Sequence, residues 1–301
     1  MSSLRIIAPA STANLGPAFD CLGLALDLWN ETEIAIGDET RIEIEGEGVE
    51  ALPRDVSHLV IRAAKAVYEN LGERPPAGWQ LRAHNRVPLY SGLGSSAAAT
   101  ATGLLAANRL SGARLALEEL LTIGAAIEGH ADNLAAALYG GLVLVNQAGE
   151  KVAAQRIDIP PLSCVVVLPE VQISTQQARA ALPKDVPLAD AVANIGHSLA
   201  LLEALRAGDI AGLAAAMQDH LHQPYRLPLI PGALGALEAA QVAGGAAALS
   251  GAGPSLIAFV ESGREKAVSE ALRAPFGELG VATRIYRLQS TARAAATISD
   301  F

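Results

Sequence analysis

Two cysteines, Cys21 and Cys164, stand far apart in 301 residues and outside any metal-ligand spacing. That excludes a disulfide framework and a zinc module and points to a reducing compartment, the cytoplasm. Basic runs are missing too, and the formal net charge is −9. Such a chain is not built to grip nucleic acid or an anionic membrane surface, although single loops can still bind phosphate. No apolar stretch of membrane-spanning length escapes interruption by turn residues, so no span is expected. Pro9 comes too early for the apolar centre of a signal peptide. His220 and His222, two apart, do not share a helix face and make a poor metal pair. What the chain has in quantity is apolar residues, 51% against 18% charged. That is enough for a large core, and at this length two domains are expected.

The densest signal is Pro88-Leu89-Tyr90-Ser91-Gly92-Leu93-Gly94-Ser95-Ser96-Ala97-Ala98-Ala99. Gly92 and Gly94 let the backbone turn tightly and approach a ligand. Ser95 and Ser96 follow, and the run over 97–105 predicts a helix. A Gly-rich loop feeding a helix N-terminus offers free N–H groups and the positive end of the helix dipole, which suits phosphate. The two hydroxyls add ligands for phosphate or a metal ion. No Gly-Lys-Ser/Thr follows, so this is not a Walker A loop. The loose dinucleotide pattern Gly-x-Gly-x-x-Ala is met from Gly92 to Ala97. However, residues 80–87 carry Arg82, His84, Asn85 and Arg86, a poor buried parallel strand, and Glu118 and Glu119 fall in a helical pattern where a strand-end acid is needed. A bare helix cap would need fewer glycines and serines.

Residues 4–8 read as a strand that Pro9 ends. The loop over 9–20 carries Ser11, Thr12, Asn14 and Asp20 among small residues, which fits either a site or an ordinary turn. Ile34 and Ile36, then Ile42 and Ile44, alternate with polar residues and predict a hairpin or two paired strands around Gly37-Asp38. Helices are expected over 59–71, 114–127 and 134–138, then a strand over 142–145. A linker over 147–161 holds the domain boundary, between 157 and 158. Beyond it come a strand at 164–168, a helix capped by Ser174 or Thr175, and Ala- and Leu-rich core helices over 186–205 and 210–220. A strand, Gly turn and strand over 246–260, a helix at 266–272 and a strand at 281–288 close the chain. Three polar clusters interrupt the apolar pattern: Glu128-Gly129-His130-Ala131-Asp132-Asn133, Thr175 with Arg179 one turn on, and Tyr225-Arg226. Each fits a binding site or a solvated loop.

The loop from Pro88 to Ala98 resembles the phosphate loop of the superfamily of galactokinases, homoserine kinases, mevalonate kinases and phosphomevalonate kinases. Residues 9–26, Pro-Ala-Ser-Thr-Ala-Asn-Leu-Gly-Pro-Ala-Phe-Asp-Cys-Leu-Gly-Leu-Ala-Leu, resemble the first motif of homoserine kinases, with Ala18 where the family form has Gly. Residues 128–133 resemble that family's Glu-Gly-His-Pro-Asp-Asn, with Ala131 in the proline's place. Ser174 to Pro183, Pro224-Tyr225-Arg226 and the turn over 250–255 also match, so the resemblance covers essentially the whole chain.

The resemblance implies an α+β, two-lobed GHMP kinase fold: an N-terminal ribosomal-protein-S5-domain-2-like lobe (1–157) and a C-terminal ferredoxin-like α/β sandwich lobe (158–301). It implies ATP-dependent phosphorylation of L-homoserine to O-phospho-L-homoserine, in threonine biosynthesis, by a Mg²⁺-using homodimer. ATP is expected at Asn85, Pro88, Leu89, Tyr90, Ser91, Gly92, Leu93, Gly94, Ser95 and Ser96. It is also expected at His58, where the family has Asn; a capping or exposed His fits the residues alone. Mg²⁺ falls to Ser96 and Glu128, and L-homoserine to Asn14, Asp20, His130, Asn133, Thr175, Arg179 and Arg226. A carboxylate such as Asp20 suits an α-ammonium group. Ser96, Glu128 and Asn133 are the implied catalytic residues. Mevalonate kinases have an Asp near Asn133; an Asn takes no proton at neutral pH. The resemblance implies transfer without a protein base, with Asp132 the alternative.

Overall fold

The computed structural model describes residues 3–149 and 151–298. The first part of the chain runs β1 (Leu4–Ala13), β2 (Leu22–Gly37), β3 (Arg41–Gly46), α1 (Leu59–Asn70), β4 (Gly78–Asn85), α2 (Ser95–Leu110), α3 (Leu117–Glu128), α4 (Asp132–Tyr139), β5 (Leu142–Ala148) and β6 (Lys151–Ile157). The second runs β7 (Ser163–Pro169), α5 (Thr175–Ala180), α6 (Leu188–Ala207), α7 (Ile210–Ala216), α8 (Gln223–Arg226), α9 (Ala233–Val242), β8 (Ala246–Leu249), β9 (Leu256–Val260), α10 (Glu265–Glu278), β10 (Thr283–Gln289) and β11 (Ala296–Ile298).

Two sheets result. One has the order β11-β1-β2-β4-β3, with β5 on β2 and β6 on β5; the other has the order β10-β7-β9-β8. β11 carries the end of the chain back onto β1, with Ile298 opposite Arg5.

Several expectations need correction. Pro9 does not end β1. The register shifts between Pro9 and Ala10, and a bulge accommodates a residue that has no N–H to give the ladder. β2 and β3 do not pair with each other. β4 lies between them, antiparallel to β2 and parallel to β3, and α1 makes the crossover that a parallel pair requires. Ile42 and Ile44 are still the buried face of β3. The expected linker contains β6, hairpinned to β5.

α6 was expected in the core but buries only Asn194, Leu201, Ala204 and Leu205. By length and composition it would suffice to cross a membrane, although turn residues interrupt its apolar run. Its buried face is docked on the second lobe, where Leu201, Ala204 and Leu205 join the cluster of Leu162, Cys164 and Phe259.

Apolar residues form three clusters. One fills the space between the first sheet and α1–α4, around Trp79 with Tyr68 edge-on at 6.2 Å. Another lies between the second sheet and α9 and α10. The third belongs to both lobes, packing Ala10, Leu24 and Leu26 with Cys164, Val166, Ile257 and Phe259. Above this shared core, the end of β1, the start of α2, the start of α4 and the β8–β9 turn converge.

Candidate active site

The Gly-rich loop leads directly into α2, as its sequence requires. Gly92 (φ 76°) and Gly94 (φ 68°) are both left-handed. A Cβ on Gly94 would collide with Ser11 Oγ, and one on Gly92 with the Ser250 carbonyl oxygen. Only glycine fits either place. Ser11 N–H donates to the Leu93 carbonyl (3.0 Å), Ser255 N–H to that of Ser91 (3.2 Å) and Ser250 Oγ to that of Gly92 (2.8 Å). The loop is therefore held by β1 on one side and the β8–β9 turn on the other, and the first N–H groups of α2 remain free for an anion.

Beside the loop opens a cavity of about 310 Å³. His58, Asn85, Leu89, Tyr90, Ser91, Gly92, Gly94, Ser95 and Ser96 line it, which brings these nine residues together. Pro88 and Leu93 do not; Leu93 is fully buried in the core that the lobes share. Asn30, Thr32, Ala99 and Thr102 also line it and carried no recognisable sequence signal, being single residues on β2 and α2. His58 precedes α1 but its side chain makes no cap bond. It is 4% exposed, and neither ring nitrogen has a partner among the described residues. Burial lowers its pKa against a smaller opposing effect of Asp55, so the ring is neutral and offers one donor and one acceptor to the cavity.

At the start of α2, Ser96 Oγ donates to Glu128 Oε2 (2.7 Å), and Thr100 Oγ1 donates to Oε1 of the same carboxylate (2.5 Å). Thr100 lies one turn after Ser96, a spacing that could have revealed it. This set of hard oxygens suits Mg²⁺. Among the described residues no group of three His, Cys, Asp or Glu is placed to hold a metal ion.

A second, smaller cavity is lined by Asn14, Asp20, His130, Asp132, Asn133, Thr175, Arg179 and Arg226. Asp20 and Arg179 form a bidentate pair, both N–O distances 3.0 Å. Arg226 is 2% exposed; it donates from Nε to the Ala178 carbonyl (3.2 Å) and from one terminal nitrogen to that of Gly251 (3.3 Å). Burial, and then the charge of Arg179, lower its pKa to about 10, so it stays cationic at neutral pH. Both guanidinium groups lie over the Phe19 ring, at 5.8 and 5.1 Å. His222 stacks against that ring at 5.2 Å, fully buried, which removes it from any pairing with His220.

Asn14 donates to the Gly251 carbonyl and accepts from Asp20 N–H, both at 2.9 Å. Its amide thus shapes the loop that presents Asp20. His130 Nδ1 lies 3.0 Å from Asp132 Oδ1, which also accepts from Asn133 N–H. Burial disfavours a charge on His130, but the hydrogen bond to Asp132 and the charges of Asp132 and Glu128 outweigh it and raise its pKa. Asn133 Oδ1 accepts from Ser11 Oγ (2.9 Å), leaving the amide nitrogen to donate. His130, Asn133, Thr175 and Ala252 belong to the walls of both cavities.

The GHMP kinases N terminal domain model matches residues 58–141 and the GHMP kinases C terminal model residues 201–278. A homoserine kinase of Moorella thermoacetica is 44% identical over 282 residues, 93% of this chain and 95% of that protein. The chain belongs to the homoserine kinase family. A second homoserine kinase, of Carboxydothermus hydrogenoformans, is 39% identical over 98% of this chain and 97% of its own. The crystal structure of a homoserine kinase from Cytophaga hutchinsonii superposes with a TM-score of 0.88 at 31% identity, covering 99% of this chain and 98% of that one. A mevalonate kinase of L. major shares the fold, with a TM-score of 0.73 at 20% identity over 96% of each chain.

Two departures from the homoserine kinase motifs are structurally mild. Ala18 is not among the residues at positive φ, so its methyl is tolerated where the family form has Gly. Ala131 has φ −117°, outside the range of a proline ring. The backbone there has settled differently from one built on proline.

Proposed function

We propose that this chain transfers the γ-phosphoryl group of ATP to the side-chain hydroxyl of L-homoserine, giving ADP and O-phospho-L-homoserine. The observation that carries the reading is the shared wall. A cavity floored by the phosphate loop meets a cavity holding one carboxylate and two guanidiniums across His130, Asn133 and Thr175. An amino acid bound by its α-ammonium to Asp20 and by its α-carboxylate to Arg179 and Arg226 would point its side chain at that wall. Mevalonate has a carboxylate but no ammonium to pair with Asp20. ADP release with Mg-ATP and L-homoserine, mevalonate, galactose or L-threonine tests this; turnover with an alcohol other than homoserine would overturn it.

Phosphoryl transfer asks for placement and charge neutralisation more than for covalent chemistry. The N–H groups of Gly94, Ser95 and Ser96, at the start of α2, receive phosphate oxygens. Ser96 and Glu128 would hold Mg²⁺, which when bound would neutralise charge on the phosphates. Asn133 positions the hydroxyl, donating through its amide nitrogen. As the transition state is loose, the hydroxyl proton passes to the transferred phosphoryl group and no protein base is needed. In this account His58 contacts the nucleotide base, the lobes divide between 157 and 158 apart from β11, and the enzyme is a homodimer.

Two expected results bear on residue roles. His58→Leu raises KM for ATP about tenfold, the value of one lost hydrogen bond, with KM for homoserine unchanged. It leaves thermal stability equal or higher, because two unpartnered buried nitrogens are removed. An unchanged KM for ATP would take the base contact away from His58. Asp132→Asn keeps kcat within about tenfold, since Asp132 positions His130 and is not the base; loss of general-base catalysis would cost roughly 10²–10⁴. The same change lowers the His130 pKa, by removing the partner that raises it. NMR titration of the His130 ring reads that shift, and an unmoved midpoint would sever the two residues.

A further inference from the structure

α6 presents an apolar face to solvent that none of the described residues covers. Among the described residues thirteen large apolar side chains are exposed, and five of them are Val186, Leu188, Val192, Ile195 and Leu199. The last four are 80, 59, 62 and 64% exposed. Their spacing of four, three and four residues is a heptad seam. At 3.6 residues per turn they occupy a stripe about 60° wide. Small residues flank the stripe at Ala189, Gly196 and Ala200, so another helix can come close. Scattered exposed apolar residues need no explanation, but a contiguous stripe of this kind marks an interaction site.

We propose that the stripe is the seam of a homodimer in which the α6 helices of two copies pack antiparallel about a two-fold axis. The proposal rests on the homodimer reading above and assigns its interface. The stripe is complementary to itself. With the axis between residues 193 and 194, Leu188 of each copy faces Leu199 of the other, and Val192 faces Ile195, which closes two kinds of layer without a gap. The charges choose the direction. Lys184 and Asp185 lie exposed just before α6, and Glu203 and Arg206 lie exposed near its end. Antiparallel packing sets one opposite-charge couple against the other, whereas parallel packing stacks each charge on its like. The helix dipoles also oppose each other. Two helices of 20 residues, about 30 Å long, bury on the order of the several hundred Å² per copy that a stable interface needs, with the flanking loops adding to it.

A membrane would also accept this stripe. The other face of α6 argues against that occupant. Asn194 Nδ2 and Ser198 Oγ both donate to the Pro17 carbonyl (2.6 and 3.1 Å), and Asn194 Oδ1 accepts from His220 N–H (2.8 Å). The helix cannot leave the lobe to enter a bilayer without breaking these bonds and the core contacts of Leu201 and Leu205.

Sedimentation velocity on the full chain at micromolar concentration, wild type beside Ile195→Asp, tests the seam. The expected result is a dimeric wild type and a variant of half its apparent mass. A second variant carries Val192→Cys and Ile195→Cys in a Cys21→Ser background. On mild oxidation it should give a covalent dimer on a non-reducing gel, and this readout stands if Ile195→Asp fails to fold. A monomeric wild type overturns both the dimer and the seam. A dimeric Ile195→Asp, or a cysteine pair that does not cross-link, overturns the seam while leaving the dimer. Co-flotation of the wild type with phosphatidylcholine–phosphatidylglycerol vesicles would assign the stripe to a membrane instead.

Discussion

Glu128→Gln lowers kcat by about 10²–10³-fold, the loss that follows removal of one preorganised electrostatic contact at a reacting group. The argument is local. Glu128 ends α3 and reaches the start of α2, where its two oxygens accept from Ser96 and Thr100. Glutamine keeps the shape and one acceptor oxygen, so the contact between the helices survives and the melting temperature should move by only a few degrees. What glutamine cannot supply is the negative charge that makes this oxygen set a site for Mg²⁺. The Mg²⁺ concentration for half-maximal rate should therefore rise along with the loss in kcat, while KM for homoserine stays within about threefold. A kcat within threefold of wild type, at the wild type's Mg²⁺ requirement, would remove Glu128 from the machinery.

Arg226→Met should act on the other substrate and in the opposite sense on stability. The guanidinium is buried, crowded by Arg179 and held by two carbonyl oxygens and the face of Phe19. In the free enzyme no carboxylate among the described residues is in contact with this cation to balance it, for the nearby Asp20 is already paired with Arg179. A substrate carboxylate would relieve that situation. Removing one partner of a buried, hydrogen-bonded charge pair costs several kcal/mol, so KM for homoserine should rise by at least about 10²-fold. KM for ATP should stay near its wild-type value. Exchanging a buried charge for an apolar chain of similar length is neutral or stabilising to the fold, so the melting temperature should hold or climb. A KM for homoserine within threefold of wild type would mean that Arg226 only braces α8.

The phosphate site was legible in the sequence because its chemistry is contiguous: two glycines, two serines and a helix start leave few conformations open. Motif resemblance also placed Asp20, Arg179 and Arg226 together, although they lie on three separate segments. Other features escaped because their cause is tertiary. Nothing local says that β4 intrudes between β2 and β3, since alternation reports which face is buried and not which strand is the neighbour. Pro9 read as a stop because the bulge that absorbs it depends on β2. At His58 the residues alone leave a capping or exposed side chain open, because only the folded cavity shows that neither of its nitrogens has a partner among the described residues. The apolar composition of α6 looked like core because composition cannot separate a face buried within one chain from a face held ready for another.

The arrangement of the lobes has a consequence for how this chain can be divided. A cut between 157 and 158 follows the sheets, yet neither product would be a folding unit. Residues 1–157 would lose β11, exposing the edge of β1 as a template for pairing with other chains. They would also lose the Ser250 and Ser255 contacts that hold the phosphate loop. The shared cluster around Leu24, Leu26, Val166 and Phe259 would be opened on both products. The two halves should therefore be insoluble when made separately and recover only when produced together, so that the evolutionary unit of this enzyme is the pair of lobes and not either one.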